Sequence, residues 1–190
     1  MKFGIRKKIN KIYFKYLEIY FNTRKLIFGF ENANNLLRRI DKRAIIPILK
    51  KNGAHIGNDC DIESPLVIHN CNNYKNLIIG NNCHIGKNVF LDLKDEIVLK
   101  DNVTISMGSK IITHLDVGKS KLLRKYPKSQ KKVIINKNCF VGTNSTILMG
   151  IELGENCFVA AGSVVKNFFP DNSFIAGIPA KLKKKIEVDK

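Results

Sequence analysis

A chain of 190 residues holds one compact domain with room for a short appendage. Hydrophobic residues make up 44% and charged residues 26%, which excludes a disordered chain, and no run approaches 18 consecutive apolar residues, which excludes a membrane-crossing helix. The formal charge of +17 is unevenly placed: residues 1–51 carry 14 Lys/Arg against 3 Asp/Glu and residues 119–132 carry 7 against none, while the stretches 52–118 and 133–180 are slightly acidic. No groove-reading helix, zinc finger or RNA-binding aromatic strand accompanies the charge, so no nucleic-acid partner is expected.

In chain order, Ile5, Ile9, Ile12, Tyr13, Tyr16, Ile19 and Tyr20 fall at spacings of three and four, which predicts an amphipathic helix over residues 5–20. Lys2, Arg6, Lys7, Lys8, Lys11 and Lys15 lie on its flanks. Two placements fit such a helix: a cap packed over the element that follows, or a basic helix lying on an anionic membrane surface. Lys15 and Glu18 interrupt any signal-peptide core and no small-residue cleavage site follows. The expected location is therefore the cytoplasm, at the inner face of the membrane if the second placement holds. A further helical stretch, about 33–51, leads into the body of the chain, with Pro47 marking a break.

From residue 56 a six-residue repeat takes over. Aliphatic residues recur at Ile56, Ile62, Ile68; at Ile79, Ile85, Leu91; at Leu99, Ile105, Ile111; and at Ile135, Val141, Ile147, Leu153, Val159, Val165. Neither a 3.6-residue helix nor a two-residue strand period generates that spacing. Gly often follows the aliphatic residue (Gly57, Gly80, Gly86, Gly142, Gly154), and Asn comes two places later (Asn82, Asn88, Asn102, Asn138, Asn144, Asn156). Both tolerate left-handed backbone, so each hexad carries its own corner. The next position is small or medium: Cys60, Cys83, Val89, Val103, Ser109, Cys139, Ser145, Cys157, Ser163. Three hexads close one triangular coil, so residues 56–180 predict about seven coils of an all-β parallel β-helix.

The repeat is broken twice. Asp92 to Val98 shifts the register, and residues 115–132 leave it altogether, in the manner of a loop thrown from a rigid scaffold. The expected division is a basic helical segment 1–51, a β-helix 52–180 and a basic tail 181–190. Four of the five cysteines sit on the small inward position and read as core filler; Cys71 is off register and without a role. His55, His69, His84 and His114 contain no close pair, so no metal site is expected.

The hexads, the segment Ile111-Ile112-Thr113-His114 before the excursion, and the ending Ala160-Ala161-Gly162-Ser163-Val164-Val165 with Ile175-Ala176-Gly177-Ile178-Pro179-Ala180-Lys181 resemble the hexapeptide-repeat acyltransferases. The resemblance covers about two-thirds of the chain and is nearest to galactoside, maltose and surface-polysaccharide O-acetyltransferases. It implies a left-handed β-helix, acetyl-CoA as co-substrate, no metal, a homotrimer, and a sugar or glycan acceptor of a bacterial surface polysaccharide or its precursor. An N-acetyltransferase of a nucleotide-linked amino sugar is the alternative within the family, and a non-catalytic β-helix scaffold the alternative outside it.

The same resemblance places His114 as general base, a task that suits a neutral imidazole. Asp116, two residues on, stands to orient that ring. Thr143, Ala161, Gly162 and Ser163 match positions near the pantetheine arm, and Lys166, Lys181 and Lys184 match basic contacts to the coenzyme. Lys166 arrives one place early, because Val164-Val165-Lys166-Asn167-Phe168 stands where the family commonly has Val-Val-Thr-Lys-Asp. Asp92 and Asp95 fall where relatives contact sugar hydroxyls. Lys119, Lys121, Arg124, Lys125, Lys128, Lys131 and Lys132 crowd the excursion, which favours an anionic or lipid-linked acceptor.

Overall fold

A computed structural model describes residues 2–187, with side chains described from Ile9 onward. The side chains of Lys2, Ile5, Arg6, Lys7 and Lys8, and the last three residues of the expected tail, lie outside the described residues. The hexads form the three faces of a parallel β-helix. The first face stacks His55–Ile56, Leu77–Ile79, Ile97–Leu99, Val133–Ile135 and Glu152–Leu153. The second stacks Asp61–Ile62, His84–Ile85, Thr104–Ile105, Phe140–Val141, Phe158–Val159 and Ser173–Gly177. The third stacks Leu66–His69, Val89–Asp92, Lys110–Ile111, Thr146–Ile147 and Val164–Val165. Within each face the aliphatic residue of one hexad sits over its counterpart in the next coil, as in Ile85 over Ile105 or Val141 over Val159. The inward stack is a continuous buried core.

There are five complete coils and a partial sixth, not seven. An insertion-free coil advances 18 residues, as from Ile134 to Glu152. The first coil takes 23, from His55 to Ile78, and the second takes 20, from Leu77 to Ile97. The third takes 36, from Ile97 to Val133. Dividing the repeat's length by 18 counts those insertions as coils. The excursion adds one coil's worth of residues, and the helix resumes beyond it in register.

Asn82, Asn88, Asn102, Asn138, Asn144 and Asn156 all have φ between 55° and 60°, as a left-handed corner requires. At one corner they form a ladder: the amide of Asn102 donates to Asn138 at 2.9 Å, Asn138 to Asn156 at 3.0 Å, and Asn156 to Asn172 at 2.9 Å. The glycines after the aliphatic residue serve a different purpose from the expected one. Gly142 has no positive φ; instead, a Cβ there would lie 2.6 Å from the Ala161 amide nitrogen and 2.7 Å from the Val159 oxygen of the next coil. Gly142→Ala is expected to cost about 1–3 kcal/mol, because both obstructing atoms are backbone. Thermal or denaturant unfolding measures this, and an unchanged midpoint contradicts the close-approach account. The inward thiols are also more than filler. Cys139 Sγ approaches the Gly154 carbonyl at 3.0 Å and Cys60 Sγ that of Gly80 at 3.1 Å, each capping a carbonyl of the next coil.

The N-terminal end is closed by α1 (Lys2–Phe28), α2 (Phe30–Asn34) and α3 (Lys42–Lys51). Phe21 meets Phe30 and Tyr74 ring to ring, and Leu37, Ile45, Ile48 and Leu49 complete an apolar lid over the first coil. Asn34 ties the lid to the coil by donating to the Ile68 carbonyl at 2.6 Å and accepting from the Tyr74 hydroxyl at 3.0 Å. Pro47 does not break a helix. α3 runs through it, and the interruption falls at residues 39–41, where Asp41 caps α3 by accepting from the Arg43 amide at 3.0 Å. At the other end Ala180–Lys185 turns back antiparallel on Ser173–Gly177, so residues 181–185 form an edge strand whose lysines discourage further pairing.

Candidate active site

Three coils build the site at one corner, where the third face turns toward the first. Asn70 and His114 follow the third-face strands of their coils, Asp92 ends the one between them, and the three lie 22 residues apart in each step. The ladder pairs His69 with Asp92 and Leu91 with Ile111, which brings Asn70 and His114 to the two sides of Asp92.

His114 Nδ1 lies 2.6 Å from Asp92 Oδ2. The same oxygen accepts from the Thr113 amide at 2.8 Å, and Asp92 Oδ1 accepts from Asn70 Nδ2 at 2.8 Å. The Thr113 hydroxyl donates to the Asp92 carbonyl at 2.7 Å and accepts from the Asp95 amide at 3.0 Å, fixing the backbone on both sides of the carboxylate. Asp92 is 1% exposed. Burial pushes its carboxyl up, but the bonds from His114, Asn70 and the Thr113 amide outweigh burial and hold it below its ordinary value. An ionised Asp92 has only acceptors to offer, so Nδ1 carries the ring hydrogen and Nε2 is left as the lone-pair nitrogen. The imidazole is 29% exposed and so open to a ligand.

These contacts correct two expectations. Asp116 does not orient the ring. It is exposed, bonded to Lys128 Nζ at 2.9 Å and to the Gly118 amide at 2.7 Å, and the Lys128 ammonium holds its carboxyl below the ordinary value. Asp92 is not open to a sugar hydroxyl, because both its oxygens are engaged and the side chain is buried. Asp95 is half-buried and accepts from the Glu96 amide at 2.7 Å. It faces a separate groove with Gln130, Lys131 and Lys132. Asn70 is the residue that sequence reasoning missed, and the repeated spacing of 22 was the available signal. Thr113 is a buried β-helix residue whose amide and hydroxyl hold the carboxylate in place.

The excursion leaves directly from this corner. His114–Leu115 pairs antiparallel with Ser129–Gln130, so the arm is clamped at its base beside the imidazole, and the Lys131 amide donates to the Thr113 carbonyl at 2.9 Å. Its cations project outward around a short 3-10 turn, Lys121–Arg124. A polar groove of 280 Å³, lined by Glu31, His69, Asn70, Cys71, Asn72 and Lys94, opens on the other side of Asn70. Burial pushes the Cys71 thiol up to about 12, so it stays protonated and is no nucleophile.

The residues expected to meet a coenzyme lie elsewhere. Thr143, Ala161 and Gly162 occupy the corner between the second and third faces, stacked through a 2.8 Å bond from the Gly162 amide to the Thr143 carbonyl. Ala161 and Gly162 are exposed, and a Cβ on Gly162 would meet nothing within 4 Å. Ser163 is buried: its hydroxyl donates to the Ala160 carbonyl at 2.7 Å and accepts from the Gly177 amide at 3.2 Å, so it is a core residue and not a free contact. Lys181 lies opposite Ala176 near that corner, whereas Lys184 sits 5.7 Å above the Phe174 ring on the second face. Lys166 is exposed on the His114 corner, two coils beyond it. One chain thus carries its imidazole and its small-residue corner on opposite edges of the third face. Among the described residues no group of three or more His, Cys, Asp or Glu is placed to hold a metal ion.

A family model described as the hexapeptide repeat of succinyl-transferase matches residues 76–112 and 132–167. A galactoside O-acetyltransferase of Lactococcus lactis is 28% identical over 184 residues, spanning 89% of this chain and 84% of its own length. Protein CapG of Staphylococcus aureus is 40% identical over 114 residues, covering 57% of this chain and 66% of its own. Among solved structures, a hexapeptide-repeat acetyltransferase of Vibrio cholerae complexed with acetyl-CoA superposes with a TM-score of 0.71 at 19% identity, covering 92% of this chain and 89% of that one. Repeat, corner chemistry and relatives agree, and the chain belongs to the hexapeptide-repeat acyltransferase family, built on a left-handed parallel β-helix.

Proposed function

We propose that the protein is an acetyl-CoA-dependent O-acetyltransferase that modifies a sugar hydroxyl of a bacterial surface polysaccharide or its precursor, working in the cytoplasm as a homotrimer. The observation that carries the proposal is the pair formed by a buried, ionised Asp92 and a half-exposed His114, whose Nε2 is left to accept a proton. Asp92 holds the ring in one tautomer and favours the imidazolium that forms in the reaction. His114 Nε2 takes the proton of the acceptor hydroxyl as the carbon–oxygen bond forms and the carbon–sulfur bond of the thioester breaks, then gives it to the departing thiolate. The thioester comes with the coenzyme; the chain's part is to place the hydroxyl and move this proton.

The trimer is supported by the separation of the site's two halves. Thr143, Ala161, Gly162 and Lys181 offer an open corner for a pantetheine arm one prism face away from His114. A threefold assembly sets that corner of one copy against the His114 edge of the next. The acceptor would enter beside Asn70, by the groove lined by Glu31, His69 and Lys94, with the base of the basic arm next to the imidazole. The lysines and arginine of that arm favour an acidic sugar or a diphosphate-linked glycan over a neutral sugar.

The test is thiol release from acetyl-CoA with neutral sugars, amino sugars, nucleotide sugars and acidic oligosaccharides as acceptors. Anionic hydroxyl acceptors are expected to react best, with an apparent affinity that falls as salt rises. Equal reaction with neutral and anionic sugars, insensitive to salt, removes the anionic preference. Amino sugars reacting to the exclusion of hydroxyls make the enzyme an N-acetyltransferase. No release with any acceptor and no coenzyme binding leaves only a scaffold.

A further inference from the structure

α1 carries two apolar faces, and only one of them is used by the fold. Leu17 and Phe21 are buried, Phe14 is half-buried, and this side packs toward α3 and Tyr74. Ile9, Ile12, Tyr13, Tyr16, Ile19 and Tyr20, the stripe legible in the sequence, lie on another side of the helix and are all exposed, Ile12 to 71%. Along one margin Ile12, Tyr16 and Ile19 border an open groove with Ala44, Pro47 and Ile48 of α3. At 100° per residue they occupy about a third of the helix circumference. Lys11 and Lys15 border the stripe on one margin and Arg24 on the other, where its guanidinium bonds the Tyr20 hydroxyl at 2.9 Å. The capping expectation is therefore met by other residues than those that predicted it, and the stripe itself remains uncovered within the chain.

We propose that this face docks on an anionic lipid bilayer, with α1 lying in the plane of the interface. Branched apolar side chains flanked by tyrosines and lysines match the depth profile of such a surface: isoleucines reach the acyl boundary, while phenol hydroxyls and ammonium groups stay at headgroup level. Charge decides between occupants. Between residues 9 and 28 stand Lys11, Lys15, Arg24 and Lys25 against the single Glu18, within a 51-residue segment of net charge +11. A second copy of this chain would bring like charge against it, whereas acidic headgroups neutralise it. No described helix is long and apolar enough to cross a membrane, which agrees with a helix lying on the surface. The proposal stands apart from the acyl-transfer reading, because none of these side chains touches Asn70, Asp92 or His114.

The experiment is co-sedimentation of the full chain with vesicles of phosphatidylcholine, with and without phosphatidylglycerol, at low and high salt. Binding is expected only to the anionic vesicles, weakening by about tenfold or more at high salt. The double variant Ile12→Glu, Ile19→Glu is expected to lose a further factor of about ten or more, with its unfolding temperature and its activity on a water-soluble acceptor unchanged. Failure of the wild-type protein to bind anionic vesicles overturns the proposal. So does a double variant that binds as well as wild type. A smaller assembly mass for the double variant by light scattering would show instead that the stripe joins copies of the chain.

Discussion

Replacing His114 with alanine is expected to lower acceptor-dependent thiol release by roughly 10²–10⁴-fold, the range a positioned base contributes. The fold should hardly notice. The ring is partly exposed, it lies outside the parallel ladder of its coil, and its side-chain bond is to the Asp92 carboxylate. Asp92 would keep its bonds from Asn70 and the Thr113 amide, so the carboxylate is not stranded. Unchanged unfolding temperature together with unchanged coenzyme binding would assign the loss to proton transfer. Release that survives at the wild-type rate would mean another group takes the proton, and the corner would then serve only to anchor the arm.

The architecture was legible because its signal is repeated: a single hexad means little, but the same aliphatic step from Ile79 to Ile111 and from Ile135 to Val165 admits one geometry. Asparagine corners were legible for the same reason, since φ near +57° is a property of the residue itself. What depends on contacts between coils was not legible. The glycines were explained by backbone freedom, and Gly142 is needed because Val159 and Ala161 crowd it. Asp116 is the imidazole's neighbour in sequence, but in a solenoid the spatial neighbour of a residue is one coil earlier, and insertions lengthen the two coils that meet at that corner from 18 residues to 23 and 20. Ser163 matched a family position by sequence, but its hydroxyl turned out to close a bond inside the core. On α1, periodicity found the stripe from Ile5 to Tyr20 and missed the face of Phe14, Leu17 and Phe21 that the lid takes, because that choice is made by Tyr74, Phe30 and α3.

Asp92→Asn tests whether that coil-to-coil contact matters to the chemistry. The substitution keeps shape and volume but replaces an acceptor-only carboxylate with an amide that presents either an oxygen or a donor to His114. If the NH₂ turns toward the ring, the favoured tautomer reverses and Nε2 carries the hydrogen, which removes the base; if the oxygen turns toward it, the charge that favours the imidazolium is still gone. A loss in kcat of about 10²–10⁴-fold is expected, with the apparent affinity for acetyl-CoA nearly unchanged, since Asp92 is buried beneath the imidazole and exposes no atom to a ligand. A defect confined to KM would place Asp92 in acceptor binding instead. Stability supplies an independent readout. The folded carboxyl sits below its unfolded value, so its ionised form stabilises the fold above the unfolded pKa, about 4, and that contribution is lost as pH falls through the folded value. Wild type should therefore exceed Asp92→Asn in denaturant resistance at neutral pH, and the gap should narrow below pH of about 4, where a protonated Asp92 resembles the amide that replaces it. A gap independent of pH would mean that the carboxylate contributes by packing alone, and that its charge serves neither the fold nor the base.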